Sequence, residues 1–146
     1  MDWTLEAVVI PVTDLDRAKA FYAEQLGFTV DHDTRMGDTV RIIQLTPPGS
    51  GCSIVIGSGM SSPDKDKQEP RPGTYHGMQL CVLDITAARA EVVARGVEAG
   101  PVSHIEGNGW AEGPGGPWNS FFSFPDPDGN TWTVQETPTP LAQRTP

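Results

Sequence analysis

Apolar and polar positions along the chain fall into two runs of the same shape. Residues 5–12 form a β-branched stretch of the kind expected of a strand buried on both faces. Leu15, Ala18, Phe21, Tyr22 and Leu26 then recur with the spacing of a helix stripe. Thr13 or Asp14 stands where a side chain can accept hydrogen bonds from the first helical amides, and Gly27 stands where a left-handed residue ends the helix. Strands are predicted next at 28–34, 39–46 and 53–56, divided by Met36-Gly37-Asp38 and by Pro47-Pro48-Gly49-Ser50-Gly51. The order is β-α-β-β-β. The second run repeats it, with a strand at 78–82, a helix at 84–95 stopped by Gly96, and strands near 97–106, 120–125 and 131–136.

The repeat is visible residue by residue. Val12-Thr13-Asp14-Leu15-Asp16-Arg17-Ala18-Lys19-Ala20-Phe21 aligns with Val82-Leu83-Asp84-Ile85-Thr86-Ala87-Ala88-Arg89-Ala90-Glu91, seventy residues further on. The reading is a single domain over 1–136, made of a first module at about 5–57, a linker at 58–74 and a second module at about 75–136. The linker is rich in Gly, Ser, Pro and charge and is expected to be mobile. The second module carries one elaboration, the Gly/Pro-rich stretch 107–118, expected to be a flexible loop. Residues 137–146 alternate Thr and Pro and are expected to form a disordered tail.

Composition narrows the partners. Ten basic against nineteen acidic residues give a net charge of −9, which disfavours nucleic acid and anionic membrane and either serves solubility or attracts a cationic ligand. No apolar run approaches the ~20 residues that span a bilayer. The first residues, with Asp2 and Glu6, lack the pattern of a signal peptide, so a cytoplasmic location is expected. Cys52 and Cys81 lack metal-site spacing and read as reduced core residues. Trp3 and Trp132 read as core as well.

The chain resembles the vicinal oxygen chelate superfamily, which includes glyoxalase I, extradiol dioxygenases, fosfomycin-resistance enzymes and bleomycin-binding resistance proteins. The resemblance rests on Val12-Thr13-Asp14-Leu15-Asp16-Arg17-Ala18 with Phe21-Tyr22 and Leu26-Gly27-Phe28, and on Phe124-Pro125-Asp126-Pro127-Asp128-Gly129-Asn130 near the end. It spans about 5–136 and implies an α+β fold in which two βαβββ modules form a curved, cup-like mixed sheet with helices on the outside. Independently of it, Asp126-Pro127-Asp128-Gly129-Asn130 reads as a tight turn and not as a calcium loop, whose spacing it lacks.

In metal-using members of that superfamily each module supplies two ligands from its first and last strands. The corresponding positions here are Ala7, Gly77, Thr133 and about Val55, none a strong ligand for a hard divalent ion. No metal and no cofactor is therefore expected. Glu6 and His76 stand one residue ahead of Ala7 and Gly77; a bulge would turn them inward, whereas ordinary alternation sends them to the opposite face. His32 and His104 read as surface or edge residues. No phosphate-binding loop, Cys-His pair or Gly-x-Ser-x-Gly turn is present in the sequence.

What remains is a pocket. If Thr133 faces the cup, so do Gln135 on its strand, Val9 on the first opening strand and Gln79 on the second. Gln79, Thr133 and Gln135 offer neutral hydrogen-bonding groups within a small apolar lining, as a ligand pocket requires; the other reading is that the glutamines satisfy each other in a filled core. Trp110 and Trp118 read either as ligand-stacking residues on a lid or as wedges in a dimer interface. The expected function is metal-independent binding of a small organic ligand by a homodimer. The alternative is a lyase, isomerase or dioxygenase that uses a shifted metal site, or a metal-free acid/base pair of His104 or Glu136 with Gln135. A third reading is an accessory protein whose fold supports a partner interface.

Overall fold

The computed structural model describes residues 1–59, 69–140 and 143. The middle of the linker and tail residues 141, 142 and 144–146 lie outside the described residues. Among the described residues the fold is α+β, with two α-helices, one of them continued by a π-helical turn, and two open mixed sheets. The chain divides into two compact units, one comprising Met1–Tyr75 with Pro127–Gly129 and the other His76–Asp126 with Asn130–Pro146.

In the first unit, strand β1 (Ala7–Val9) leads to helix α1 (Leu15–Ala20) and then to β2 (Thr29–Met36), β3 (Val40–Thr46) and β4 (Ser53–Ser58), with sheet order β1-β4-β3-β2. Asp14 caps α1, its Oδ1 accepting from the Arg17 amide at 3.0 Å. The helix widens into a π-helical turn, Phe21–Gln25, where two successive rings, Phe21 and Tyr22, are both buried. Gly27 follows at φ +77 and ends it.

Burial alternates along β3: Arg41, Ile43 and Leu45 are buried and the residues between them half-buried. With Ile54 and Ile56 of β4 these side chains form the core beneath α1. Arg41 is held there by Asp33, which accepts from Nε at 2.9 Å and Nη2 at 2.7 Å, and by Asp16 on α1 at 2.8 Å from Nη1. Its guanidinium holds both carboxyls below their ordinary range.

The first strand is shorter than its sequence pattern because Pro11 has no amide to extend the ladder. It is also not buried on both faces, since Val9 is half-exposed. Trp3, expected in the core, is 88% exposed.

In the second unit β5 (Met78–Val82) leads to α2 (Ile85–Ala94), then β6 (Ser103–Glu106), β7 (Gly109–Glu112), β8 (Phe121–Pro125) and β9 (Thr131–Glu136), in the order β5-β9-β8-β6-β7. Asp84 caps α2, and the Gly96 and Val97 amides close its far end on the Val93 and Val92 carbonyls. Phe122, Phe124, Trp132 and Val134 are buried on the side of the sheet that α2 contacts. The strand expected over 97–106 begins only at Ser103. Arg89 explains the delay: its Nε and Nη2 take the carbonyls of Gly100 and Ala99, and Pro101 has no amide to pair.

The order in this unit is β-α-β-β-β-β, because the expected loop contains β7, paired antiparallel with β6. At the other end Thr137, placed in the tail by composition, is 2% exposed and its amide donates to the Val82 carbonyl at 2.8 Å.

Candidate functional site

The register of the five-stranded sheet decides which side chains share its open face. Gln79 lies opposite Thr133 and Cys81 opposite Gln135, while Ser123 and Phe121 of β8 face the same two β9 residues. Directly opposed residues project to one side, so these six form one surface. It continues across β6 and β7, where Ser103 pairs with Phe121 and with Glu112, and Ile105 pairs with Trp110. The opposite side is the aromatic core already described.

Five of the sequence-derived candidates, Gln79, Thr133, Gln135, Trp110 and Trp118, belong to this unit. Gln79 Nε2 donates to Gln135 Oε1 at 2.5 Å, and Gln135 Nε2 donates to the Trp118 carbonyl at 2.7 Å. The two glutamines thus satisfy each other, yet Gln79 is exposed and Gln135 only half-buried. They form a polar strip at a surface and not a filled core. Thr133 Oγ1 lies 3.4 Å from Ser123 Oγ, a weak contact. Trp110 stands edge-to-face against Phe121, centroids 5.4 Å apart, and remains 64% exposed.

Neither tryptophan sits on a loose loop. Trp110 is a strand residue of β7. Trp118 occupies the left-handed region at φ +64, in a turn that Asn119 fastens to β6: Asn119 Oδ1 accepts from the Ile105 amide at 2.8 Å and Nδ2 donates to the Ile105 carbonyl at 2.9 Å. This side chain mimics a strand neighbour, which is why a Gly/Pro-rich sequence is held. Gly115 adds to it, because a Cβ there would collide with the Asn119 carbonyl.

Val9 lies in the other unit. It is opposite Val55 on the open face of the four-stranded sheet, with Ala7 opposite Ser53. A polar cluster adjoins them, in which Ser53 Oγ is 2.6 Å from Thr46 Oγ1 and accepts from Gln44 Nε2 at 3.3 Å.

Other residues weighed from the sequence are engaged elsewhere. Glu136 Oε2 accepts from the Ile85 amide at 2.9 Å, and His104 Nδ1 is 2.8 Å from the Gly113 carbonyl, on the face away from Ile105. Neither is placed for acid/base work beside Gln135. His76 Nδ1 is 2.9 Å from Thr131 Oγ1, which belongs by alternation to the Thr133 side. Cys52 and Cys81 are free thiols but not core residues, Cys81 being exposed on the open face.

A divalent ion does not fit the donors. The positions that carry ligands in metal-using relatives of this architecture hold Ala7 and Val55 in one unit and Gly77 and Thr133 in the other, which leaves a single neutral hydroxyl. Among the described residues no three His, Cys, Asp or Glu side chains come together, and no helix is long and apolar enough to cross a membrane.

The strand order within each unit and the open face of each sheet define an α+β architecture, and residues 4–134 match the family model for the Glyoxalase/Bleomycin resistance protein/Dioxygenase superfamily. The chain belongs to that superfamily. Among solved structures it is similar to TnmS3, an antibiotic binding protein from a Streptomyces species, at 28% identity and TM-score 0.69, covering 93% of this chain and 97% of that one. It is similar also to a glyoxalase/bleomycin resistance protein from Streptomyces, at 29% identity and TM-score 0.66, covering 90% and 99%. A superfamily member from Sphaerobacter thermophilus matches at 28% identity and TM-score 0.69, covering 92% and 98%. No curated protein matches the chain.

Sequence reasoning did not single out Phe121, Ser123, Asn119 or Glu112. Phe121 and Ser123 were legible from alternation along 120–125 once Thr133 was assigned a face. Asn119 and Glu112 gave no signal before β7 was known.

Proposed function

We propose that the protein is a metal-independent binder of small organic molecules, of the glyoxalase/bleomycin-resistance type, and that the ligand lies on the open face of the β5-β9-β8-β6-β7 sheet. The observation that carries this reading is the fixed strip from Gln79 through Gln135 to the Trp118 carbonyl, set beside the exposed Trp110–Phe121 pair. Apolar rings supply contact area, and oriented amides supply direction without a charge on the ligand. Gln79 Oε1 and the Thr133 hydroxyl complete the polar set. The similarity to an antibiotic binding protein at 28% identity agrees with this reading.

The protein works as a homodimer, for which exposed apolar side chains away from that face, such as Trp3, Leu5 and Leu83, offer contact. It resides in the cytoplasm, where its two free thiols stay reduced. The experiment is a thermal-shift screen against aromatic natural products and antibiotics. Ligands that raise the melting temperature of the wild type should lose that effect on Gln79→Leu and Gln135→Leu. A panel without stabilising ligands, or hits indifferent to both substitutions, contradicts the reading.

A further inference from the structure

The open face of the second unit is neutral along β5, β9 and β8, where it carries Gln79, Cys81, Thr131, Thr133, Gln135, Phe121, Ser123 and Pro125. Among the described residues one carboxylate interrupts it. Glu112 ends β7, opposite Ser103, and stands two residues along the same strand and on the same face as Trp110. Two residues of extended chain put the carboxylate's Cα about 6–7 Å from that of the indole. Glu112 is exposed, and among the described residues it takes part in no ion pair or hydrogen bond. The nearest other acid in the hairpin, Glu106, lies on the far side of β6, opposite Gly109, 3.3 Å from His104 Nε2.

We propose that Trp110 and Glu112 make this face selective for ligands that carry a protonated amine next to an aromatic ring. The inference rests on the small-molecule reading above and names the ligand chemistry that reading leaves open. Phe121 meets the Trp110 ring edge-to-face on one flank, and the indole stays largely exposed, so a π surface remains for an aryl group or for the ammonium itself. A cation seated over that indole is within one side chain's reach of an unpaired carboxylate. An anionic ligand meets the same carboxylate as a repulsive neighbour; among the described residues the basic group that touches this face is His76, hydrogen-bonded to Thr131 of β9, across the sheet from β7.

The test uses three probes of one shape, 1-naphthylmethylamine, 1-naphthalenemethanol and 1-naphthoate, titrated by calorimetry into wild-type protein, Glu112→Gln and Glu98→Gln. Glu98 is an exposed acid outside the face, so its replacement changes net charge equally. The amine should bind roughly five-fold more tightly than the alcohol, and the carboxylate most weakly, as an exposed cation–π contact with an adjacent charge provides. Glu112→Gln should collapse the amine-to-alcohol ratio to below about two-fold, while Glu98→Gln retains it. Binding of amine and alcohol with equal affinity, or a ratio that survives Glu112→Gln, overturns the proposal and leaves the small-molecule reading intact. Failure of all three probes to bind overturns both.

Discussion

Gln135 holds Trp118 in place through its backbone: the Gln135 side-chain amide donates to the Trp118 carbonyl at 2.7 Å while the Trp118 main chain sits at φ +64. The last strand of the sheet and the turn before β8 are thereby tied at one polar atom. Gln135→Leu removes the tie while roughly preserving volume. We expect ligand affinity to fall by about ten-fold, the value of a lost oriented hydrogen bond together with a freed turn, with a stability loss near 1 kcal/mol. Urea melts and binding isotherms of the same variant separate the two effects.

Trp118 itself offers a substitution in which stability and binding move in opposite directions. A left-handed conformation costs a non-glycine residue about 1 kcal/mol, and glycine's relief of that cost offsets the packing given up with an indole that is 41% exposed. Trp118→Gly should leave the melting temperature unchanged or raise it, and should weaken ligand binding. If melting drops by more than about 2 kcal/mol equivalent, the indole belongs to the scaffold, where large-to-small changes carry such costs.

Trp110→Ala should weaken binding by about 1–3 kcal/mol, as loss of an aromatic anchor does. Its effect on stability should be small, because the residue is on edge strand β7 and mostly exposed. Sizing with light scattering checks the other assignment: a dimer lost on Trp110→Ala with affinity unchanged puts that ring in an interface.

Asp128 gives a prediction on folding in the first unit. Its carboxylate accepts from the Thr13 amide at 3.2 Å, from Thr13 Oγ1 at 2.6 Å and from Arg17 Nη2 at 3.3 Å, so the 127–129 turn fastens the start of α1. Gly73 packs so closely there that a Cβ would sit 2.5 Å from the Asp128 carbonyl oxygen, at φ +81. Asp128→Ala should cost about 1–3 kcal/mol in urea unfolding, and Gly73→Ala at least as much.

The Asp33–Arg41 pair sets an acid limit on stability. Hydrogen bonds from Arg41 and Lys19 lower the Asp33 carboxyl below its ordinary range. A lowered folded-state value stabilises the fold above the unfolded value of about 3.9 and is lost as pH falls below it. Asp33→Asn should therefore melt several degrees below wild type at neutral pH. The gap should narrow as pH falls below about 4, read by calorimetry across that window.

The repeat, the first N-cap as Thr13 or Asp14, and both glycine stops were legible because each is written in a short stretch of chain. Asp14 caps as its spacing implies, and Gly27 and Gly96 end their helices at positive φ. The face shared by Gln79, Thr133 and Gln135 followed from alternation once the family resemblance had assigned Thr133 and Gly77 to it. What the sequence concealed depends on contacts distant along the chain. Gly109-Trp110-Ala111-Glu112 reads as loop by composition and becomes a strand because Ser103–Glu106 offers an edge and Asn119 bridges to it. Arg89 takes the carbonyls of Ala99 and Gly100, leaving only the Gly100 amide to reach β8 at Ser123. Trp3, apolar and aromatic, finds no core because the chain before Ala7 joins no sheet.

The proposed ligand lies on the open face that carries Gln79, Gln135 and Trp110, beside the Trp118 turn. The four tryptophans are well spread for a test: Trp110 lies on that face, Trp118 adjoins it through its carbonyl on Gln135, Trp132 is 3% exposed in the aromatic core, and Trp3 is in the other unit. Titrating a thermal-shift hit into uniformly 15N-labelled protein and following the indole N–H resonances reads all four sites at once. The account predicts that Trp110 and Trp118 shift together and saturate at one dissociation constant while Trp132 and Trp3 stay in place. Saturating shifts confined to Trp3 or Trp132, with Trp110 and Trp118 unmoved, would contradict it.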